Sequence, residues 1–335
     1  MRRVRGFAWT LADQEVLSTP DTWGDVLVEI ARADRRVVAL TADLATTTKV
    51  ARLRREMPER CINVGVAEQN LVAVAAGVAA TGLVPFVCTY ATFAALRAAE
   101  FVRADIAYDA RNVKIIGTLA GVASGQGGPT LHAVEDLALM RAVPGMIVLA
   151  PSDAAEMGEA LRAALAHDGP VYIRYGRGTE APARREAAFR IGRAVELARG
   201  EAATVFACGA PVHHALRAAE RIAEHGAHVR VVAMPSIKPL DEEAVLRAAR
   251  ETRRIVTVED HNVVGGLGSA VADVLVKAGV ACELVKLGHA DRWLGMGIPE
   301  DLMHEGGFDE DAIVDALSAL TGATPVPDDD WSDDP

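Results

Sequence analysis

Residues 60–82 read RCINVGVAEQNLVAVAAGVAATG, and the reading of this stretch decides the fold. Cys61, Ile62 and Val64 form a β-type run that ends at Gly65. From Gln69 onward the sequence is rich in Ala and Val with no further charge until Arg97, which predicts a helix buried all round. Glu68 is the single carboxylate at the head of that helix. A first-turn acid complements the positive end of a helix dipole. A carboxylate with few solvating neighbours is also suited to proton transfer, because burial moves its pKa toward the working pH.

Upstream, residues 36–40 predict a strand leading into TADLATTTKV. A Thr/Asp cluster directly after a buried strand sits at the carboxyl edge of a sheet, where open α/β sheets bind ligands, and Asp43 falls there. Thr46, Thr47 and Thr48 are suited to cap the following helix. A first helix is predicted over 22–34, capped by Asp21 or Thr22.

Downstream, a strand over 84–89 opens into a helix whose start carries Tyr90 and Phe93, spaced i, i+3 and so on one face. Such a pair is core material or a wall on which a flat heterocycle stacks. A strand over 113–118 is followed by LAGVASGQGGPTLHAVEDLALMR, with four glycines and a proline between Gly121 and Pro129. These glycines predict a loop that something approaches closely, with a helix resuming over 132–141. No dinucleotide fingerprint is present, since the G-x-G-x-x-G opening after a first strand is missing. Residues 146–150 give another strand, with Ser152 or Asp153 as the next N-cap. Arg174 and Arg177 flank a further strand end, and either has the fork geometry to clamp an anion.

Residues 181–190 are polar and aperiodic and predict an inter-domain linker; beyond them strands and amphipathic helices alternate again, the pattern of a second parallel sheet. Gly265 to Gly268 form a tight strand-to-helix turn with no Lys-Ser/Thr after it, so no phosphate loop is predicted. His261 reads as structural, and His213 and His214 are adjacent and cannot chelate from one face. The 335 residues, 50 % hydrophobic, suffice for two domains. A net charge of −11, much of it from PVPDDDWSDDP at residues 325–335, excludes a nucleic-acid footprint. Cys61, Cys88, Cys208 and Cys282 lie far apart and predict neither a zinc site nor a disulfide framework. No signal h-region or membrane span is recognised, so the expected location is the cytoplasm.

The central stretch resembles the glutamate-bearing helix of the transketolase family: the family's I/V-N-x-G-x-A/S-E-Q-N is matched by Ile62, Asn63, Gly65, Ala67, Glu68, Gln69 and Asn70. The likeness runs over residues 21–320 and includes the patches SIKPLD and GGLGS. It implies two parallel-sheet α/β domains: a thiamine-diphosphate pyrimidine-binding domain at 21–180 and a transketolase C-terminal domain at 191–322. An N-terminal arm at 1–20 and an acidic tail at 323–335 flank them. The resemblance further implies that Glu68 is catalytic and hydrogen-bonds the cofactor's aminopyrimidine. Tyr90 and Phe93 stack on that ring, Asp43 borders it, and Arg177 binds an anionic substrate. The Gly-rich loop corresponds to the family's substrate loop, where His132 is a further substrate-binding candidate. Leu119, Gly127 and Leu131 depart from that pattern, standing where His, Asp and His are usual. Leucine has no donor or acceptor for a sugar phosphate, so an acceptor other than a standard aldose phosphate is expected.

Full transketolases add an N-terminal domain that holds the diphosphate through Mg²⁺ with a G-D-G…N motif, and no GDG occurs here. The expectation is therefore one subunit of a split transketolase that owns half a site. A diphosphate-binding partner subunit would supply the Mg²⁺ ligands within an α2β2 heterotetramer, and this chain would supply no metal ligand. The β chain of a 2-oxo-acid dehydrogenase or acyl-transferring relative, and a non-catalytic scaffold, are the alternatives.

Overall fold

The computed structural model describes residues 23–177 and 188–323. The predicted arm, the predicted caps Asp21 and Thr22, all but residues 188–190 of the linker, and all but residue 323 of the tail lie outside them. The N-terminal half contributes six strands: β1 (Val37–Thr41), β2 (Cys61–Asn63), β3 (Val84–Tyr90), β4 (Lys114–Thr118), β5 (Ile147–Leu149) and β6 (Val171–Arg174). All six run parallel. The helix α1 (Trp23–Ala33) precedes β1, and α2 (Ala51–Glu56), α3 (Glu68–Ala80), α4 (Asp136–Ala142) and α5 (Ala154–Ala166) lie between strands. The central strands are buried on both faces, as their uninterrupted apolar runs require.

The C-terminal half contributes β7 (Val195–Ala198), β8 (Thr204–Cys208), β9 (Arg230–Ala233), β10 (Ser236–Lys238), β11 (Arg254–Asn262) and β12 (Glu283–His289). Five of these form a second sheet in the order β12-β11-β8-β9-β7. Helices α6 (Pro211–Ala223), α7 (Glu242–Glu251), α8 (Leu267–Ala278), α9 (Pro299–Gly306) and α10 (Glu310–Thr321) surround it. The sixth, β10 from the SIKPLD patch, joins the first sheet, whose order is β10-β5-β6-β4-β3-β1-β2.

Neither sheet is purely parallel, which modifies the expectation. β7 pairs antiparallel with β9, and β10 pairs antiparallel with β5. The C-terminal half thus donates an edge strand to the N-terminal sheet, and edge pairing blunts an exposed edge. Lys238 reinforces the junction by donating to the carbonyls of Arg141 and Val143, at 2.9 and 2.6 Å. One apolar core runs through both halves, from Leu40, Leu71 and Val87 to Phe206, Met234 and Leu267.

Two sequence expectations shift for local reasons. Helix α4 begins at Asp136 rather than 132, because Ala133 forms an antiparallel bridge with Gly121 and holds the preceding residues in the loop. Helix α3 is not buried all round. Glu68, Leu71, Val72, Ala75 and Ala76 face inward, while Gln69, Asn70, Gly77 and Ala80 are exposed. The helix leaves edge strand β2 and packs on β3, so only its inner face meets the sheet.

Candidate active site

Because β1, β2, β3 and β4 are parallel, their carboxyl ends share one side of the sheet, and the order β4-β3-β1-β2 makes them neighbours. Asp43 follows β1, Glu68 follows β2, Tyr90 ends β3 and the Gly-rich loop follows β4. These four features lie in separate stretches of the sequence, and the topology brings them to one edge.

Glu68 is the first residue of α3 and only 2 % exposed. Its Oε2 accepts a hydrogen bond from Arg97 Nη1 at 2.9 Å. Among the described residues no hydrogen bond to Oε1 is formed. Arg97 in turn lies over the Phe93 ring, its guanidinium carbon 4.1 Å from the centroid. Phe93 stacks on Tyr90, with centroids 5.5 Å apart and planes 28° from parallel. Glu68, Arg97, Phe93 and Tyr90 therefore form one contiguous group: a carboxylate, a cation and two aromatic faces. The segment that carries Phe93 and Arg97 (Phe93–Arg97) is a π-helical turn, with Ala98 N–H donating to the Phe93 carbonyl at 3.0 Å. Such wide turns recur at functional sites because they re-aim side chains within a helix. Arg97 is a site residue that sequence reasoning missed, although it is the first charge after Glu68 and stands four residues beyond Phe93.

Asp43 is exposed and takes a left-handed backbone, φ 62°. Asn63, at the end of β2, holds it there: its Oδ1 accepts from the Asp43 and Gly65 amides at 2.9 and 3.1 Å, and its Nδ2 donates to Asp43 Oδ1 at 3.1 Å. A side-chain amide that satisfies the backbone locally makes this conformation tolerable. Thr47 and Thr48 do not cap α2; both hydroxyls donate to the Leu44 carbonyl and brace the Asp43 turn. Leu119, just after β4, is likewise left-handed at φ 53°. Backbone strain of this kind collects at ligand-binding edges.

The glycines of the loop after β4 are explained by the chain itself. A Cβ on Gly121 would overlap the Asp260 carboxylate, one on Gly128 would lie 2.8 Å from Met296 Cγ, and one on Gly125 would lie 3.0 Å from the Gly297 carbonyl. The close approach predicted from sequence is thus made by the C-terminal half. His132 is buried at the loop's far end, its Nε2 3.1 Å from the Gly125 carbonyl, and desolvation lowers its pKa. It is engaged in bracing the loop. Arg177 is half-buried and donates through Nε to the Ala123 carbonyl at 2.5 Å. Arg174 is buried, with Nε 3.1 Å from both Asp136 oxygens, so its guanidinium already has its anion.

Backbone amides of the GGLGS turn are already taken by a residue of the chain. Glu259 fills the amino end of α8, accepting the Leu267 and Gly268 amides at 2.6 and 2.8 Å, and a Cβ on Gly266 would overlap it. Burial nevertheless pushes Glu259 up to about 7. His261 accepts the Ala138 amide at Nε2 and donates Nδ1–H to the Asn262 carbonyl, and desolvation holds it down at about 4. Among the described residues one group, His304, Asp309 and Asp311, has the spacing to hold a cation, and it belongs to the second half, beside α10.

Comparison with known proteins identifies the two halves of the chain. The transketolase pyrimidine-binding domain matches residues 15–180 and the transketolase C-terminal domain residues 192–313. The 6-deoxy-6-sulfo-D-fructose transketolase subunit SqwH of Clostridium sp. is 41 % identical over 304 residues, 90 % of this chain and 94 % of that protein. A subunit of the apulose-4-phosphate transketolase of Phocaeicola vulgatus is 36 % identical over 291 residues, 86 % of this chain and 93 % of that protein. A solved split-gene transketolase, an inactive β4 tetramer, superimposes with a TM-score of 0.80 at 40 % identity, covering 90 % of this chain and 97 % of that one. The chain belongs to the transketolase family, as a transferase subunit of the kind found in split transketolases.

Proposed function

We propose that this chain is the pyrimidine-binding half of a thiamine-diphosphate-dependent transketolase that moves a two-carbon ketol unit from a ketose phosphate to an acceptor. The supporting observation is the buried Glu68, held by Arg97 on one oxygen and flanked by the stacked Tyr90 and Phe93. A carboxylate beside two aromatic faces fits an aminopyrimidine ring. When bound, the cofactor supplies a carbon nucleophile able to cleave a bond next to a carbonyl. In this reading Glu68 Oε1 would hold or release a proton toward the ring, while Arg97 keeps Oε2 in place. Tyr90 and Phe93 would offer the ring a stacking face, and Asp43 would border it. Arg177 steers the anionic donor, and His132 shapes the substrate loop from within.

Among the described residues nothing at this edge fits the diphosphate and its Mg²⁺, which are assigned to a partner subunit. Val66, two residues before Glu68, is 77 % exposed, and Ile62 and Leu96, the latter next to Arg97 in the chain, are exposed apolar residues as well. An apolar surface next to a half-built site is a partner interface, and an α2β2 assembly would cover it twice. The domain division proposed is 21–180 and 191–322 joined through 181–190. No helix among the described residues is long and apolar enough to cross a membrane, and a cytoplasmic location is proposed with the rest. The specificity proposed is an acceptor other than a standard aldose phosphate, because Leu119, Gly127 and Leu131 offer no side-chain donors; the two relatives above are named for 6-deoxy-6-sulfo-D-fructose and apulose 4-phosphate.

The test is co-expression with a diphosphate-binding subunit of the split type, native mass spectrometry with thiamine diphosphate and Mg²⁺, and assay with xylulose 5-phosphate and ribose 5-phosphate. A heteromer that consumes the ketose but not ribose 5-phosphate supports the reading in full. One that uses both sugars supports ketol transfer and removes the acceptor proposal. Failure to form any heteromer contradicts the split-enzyme reading.

A further inference from the structure

The C-terminal half of the molecule meets the loop after β4 through Gly297 and Met296 at Gly125 and Gly128, and at the loop's root through the buried side chain of Asp260, which lies near the end of β11. Its carboxylate accepts the Val122 amide at 3.1 and 3.2 Å, immediately after Gly121, whose lack of a side chain makes the approach possible. His289, at the end of β12, places Nε2 2.9 Å from Asp260 Oδ1 and packs its ring on Phe308 at 4.5 Å. From the other side Arg174 donates to the carbonyls of Asp260 and Ala133 while pairing with Asp136. Gly121 and Ala133 close the base of the loop with two reciprocal hydrogen bonds, 2.9 and 3.1 Å. The intervening residues 122–132 are therefore gripped at their root by a charged residue of the second half, itself fixed by a histidine and an arginine. Every member of this grip is buried.

We infer that Asp260, backed by His289, is a positioning residue that sets the conformation of the loop at residues 121–132 and through it the fit of the acceptor substrate. The inference rests on the reading of this loop as the substrate loop. It gives the C-terminal half a role in specificity without contact with substrate. A buried carboxylate that accepts a backbone amide at a loop's root is a strong constraint, since loss of the acceptor strands the amide away from water. A misplacement of positioning groups by about one ångström is enough to weaken productive binding.

The experiment has two arms. Hydrogen exchange on the full chain compares wild type with Asp260→Ala, His289→Gln and Gly121→Ala, the last opening the grip from the loop's own side. Exchange across residues 121–132 should accelerate about tenfold or more in Asp260→Ala, while the amides of α3 keep their wild-type rates. The double variant of Asp260 and Gly121 should add little to either single, because both break one interaction. In the complex with the diphosphate-binding subunit, Asp260→Ala should raise KM for the acceptor about tenfold with cofactor affinity unchanged, and Asp260→Asn, which keeps one acceptor oxygen, should recover part of that loss. Unchanged loop exchange in Asp260→Ala would overturn the grip. Loosened loop exchange with unaltered acceptor KM would overturn its role in specificity. A wild-type complex that transfers no ketol unit would contradict the functional reading instead, and the exchange arm would still decide whether the grip exists.

Discussion

Each half of the molecule places a buried glutamate carboxylate at the start of a helix, Glu68 as the first residue of α3 and Glu259 reaching from β11 to the amino end of α8, and the two are satisfied differently. Glu259 is fully enclosed; both its oxygens accept backbone amides of α8, and the glycines around it leave room for nothing else. Glu68 is nearly as buried, but its one hydrogen bond comes from a side chain, Arg97, that is 44 % exposed, and its surroundings open to solvent. Burial by itself therefore does not distinguish a carboxylate closed off by the fold from one that the proposed function makes reactive. The distinction lies in what satisfies it: backbone amides occupy both oxygens of Glu259, whereas the single arginine at Glu68 bonds Oε2 and leaves Oε1 without a hydrogen bond among the described residues.

The largest effect that would break this contrast is expected at Glu68. Glu68→Gln should lower turnover of the two-subunit complex about 10²- to 10⁴-fold, the usual contribution of a positioned acid–base group, while Glu259→Gln should leave kcat within about twofold. Equal losses in both variants, measured by steady-state kinetics, would abolish the distinction. Next, Arg97→Met should reduce kcat/KM about tenfold or more, the scale of a hydrogen bond to a charged group, with the melting temperature little changed because Arg97 is half-exposed. Phe93→Ala should weaken thiamine diphosphate binding by about 0.5–1.5 kcal/mol, read by calorimetric titration.

The smallest effects concern pH and the second half. Glu259 is raised toward about 7 in the folded state, so the stability linked to its proton is present at low pH and is lost as pH rises through about 7. His261 is lowered to about 4, so its contribution runs the other way and is lost as pH falls from about 6.5 toward 4. The two slopes oppose each other over the shared window. In denaturant titrations compared with wild type, His261→Gln should therefore show stability falling more steeply with rising pH, and Glu259→Gln the reverse.

Much of this is legible in the sequence. The Glu68 helix, the strand ends carrying Asp43 and Tyr90, and the pairing of Tyr90 with Phe93 follow from short-range patterns, and the structure brings them to one edge. Long-range partners are not legible. Asp260 lies 138 residues from Val122, and no local period announces that a carboxylate will meet that amide. The crossover of β10 into the first sheet is hidden for the same reason, since so short a strand gives no periodicity. The exposed face of α3 escapes a sequence reading because an Ala- and Val-rich helix looks alike whether its own chain or another subunit covers it. Arg97 occupies a middle case: its spacing from Phe93 is visible, but the π-helical turn that aims it at Glu68 is not.

The measurement that bears most directly on the central claim is calorimetric titration of thiamine diphosphate, with Mg²⁺, into this chain alone, into its complex with a diphosphate-binding subunit, and into the complex carrying Glu68→Gln. The account predicts saturable binding by the complex, none by the isolated chain, and weakened binding by the variant. Equal binding by the isolated chain and the complex, or a variant indistinguishable from wild type, would contradict a cofactor site that is shared between subunits and centred on Glu68.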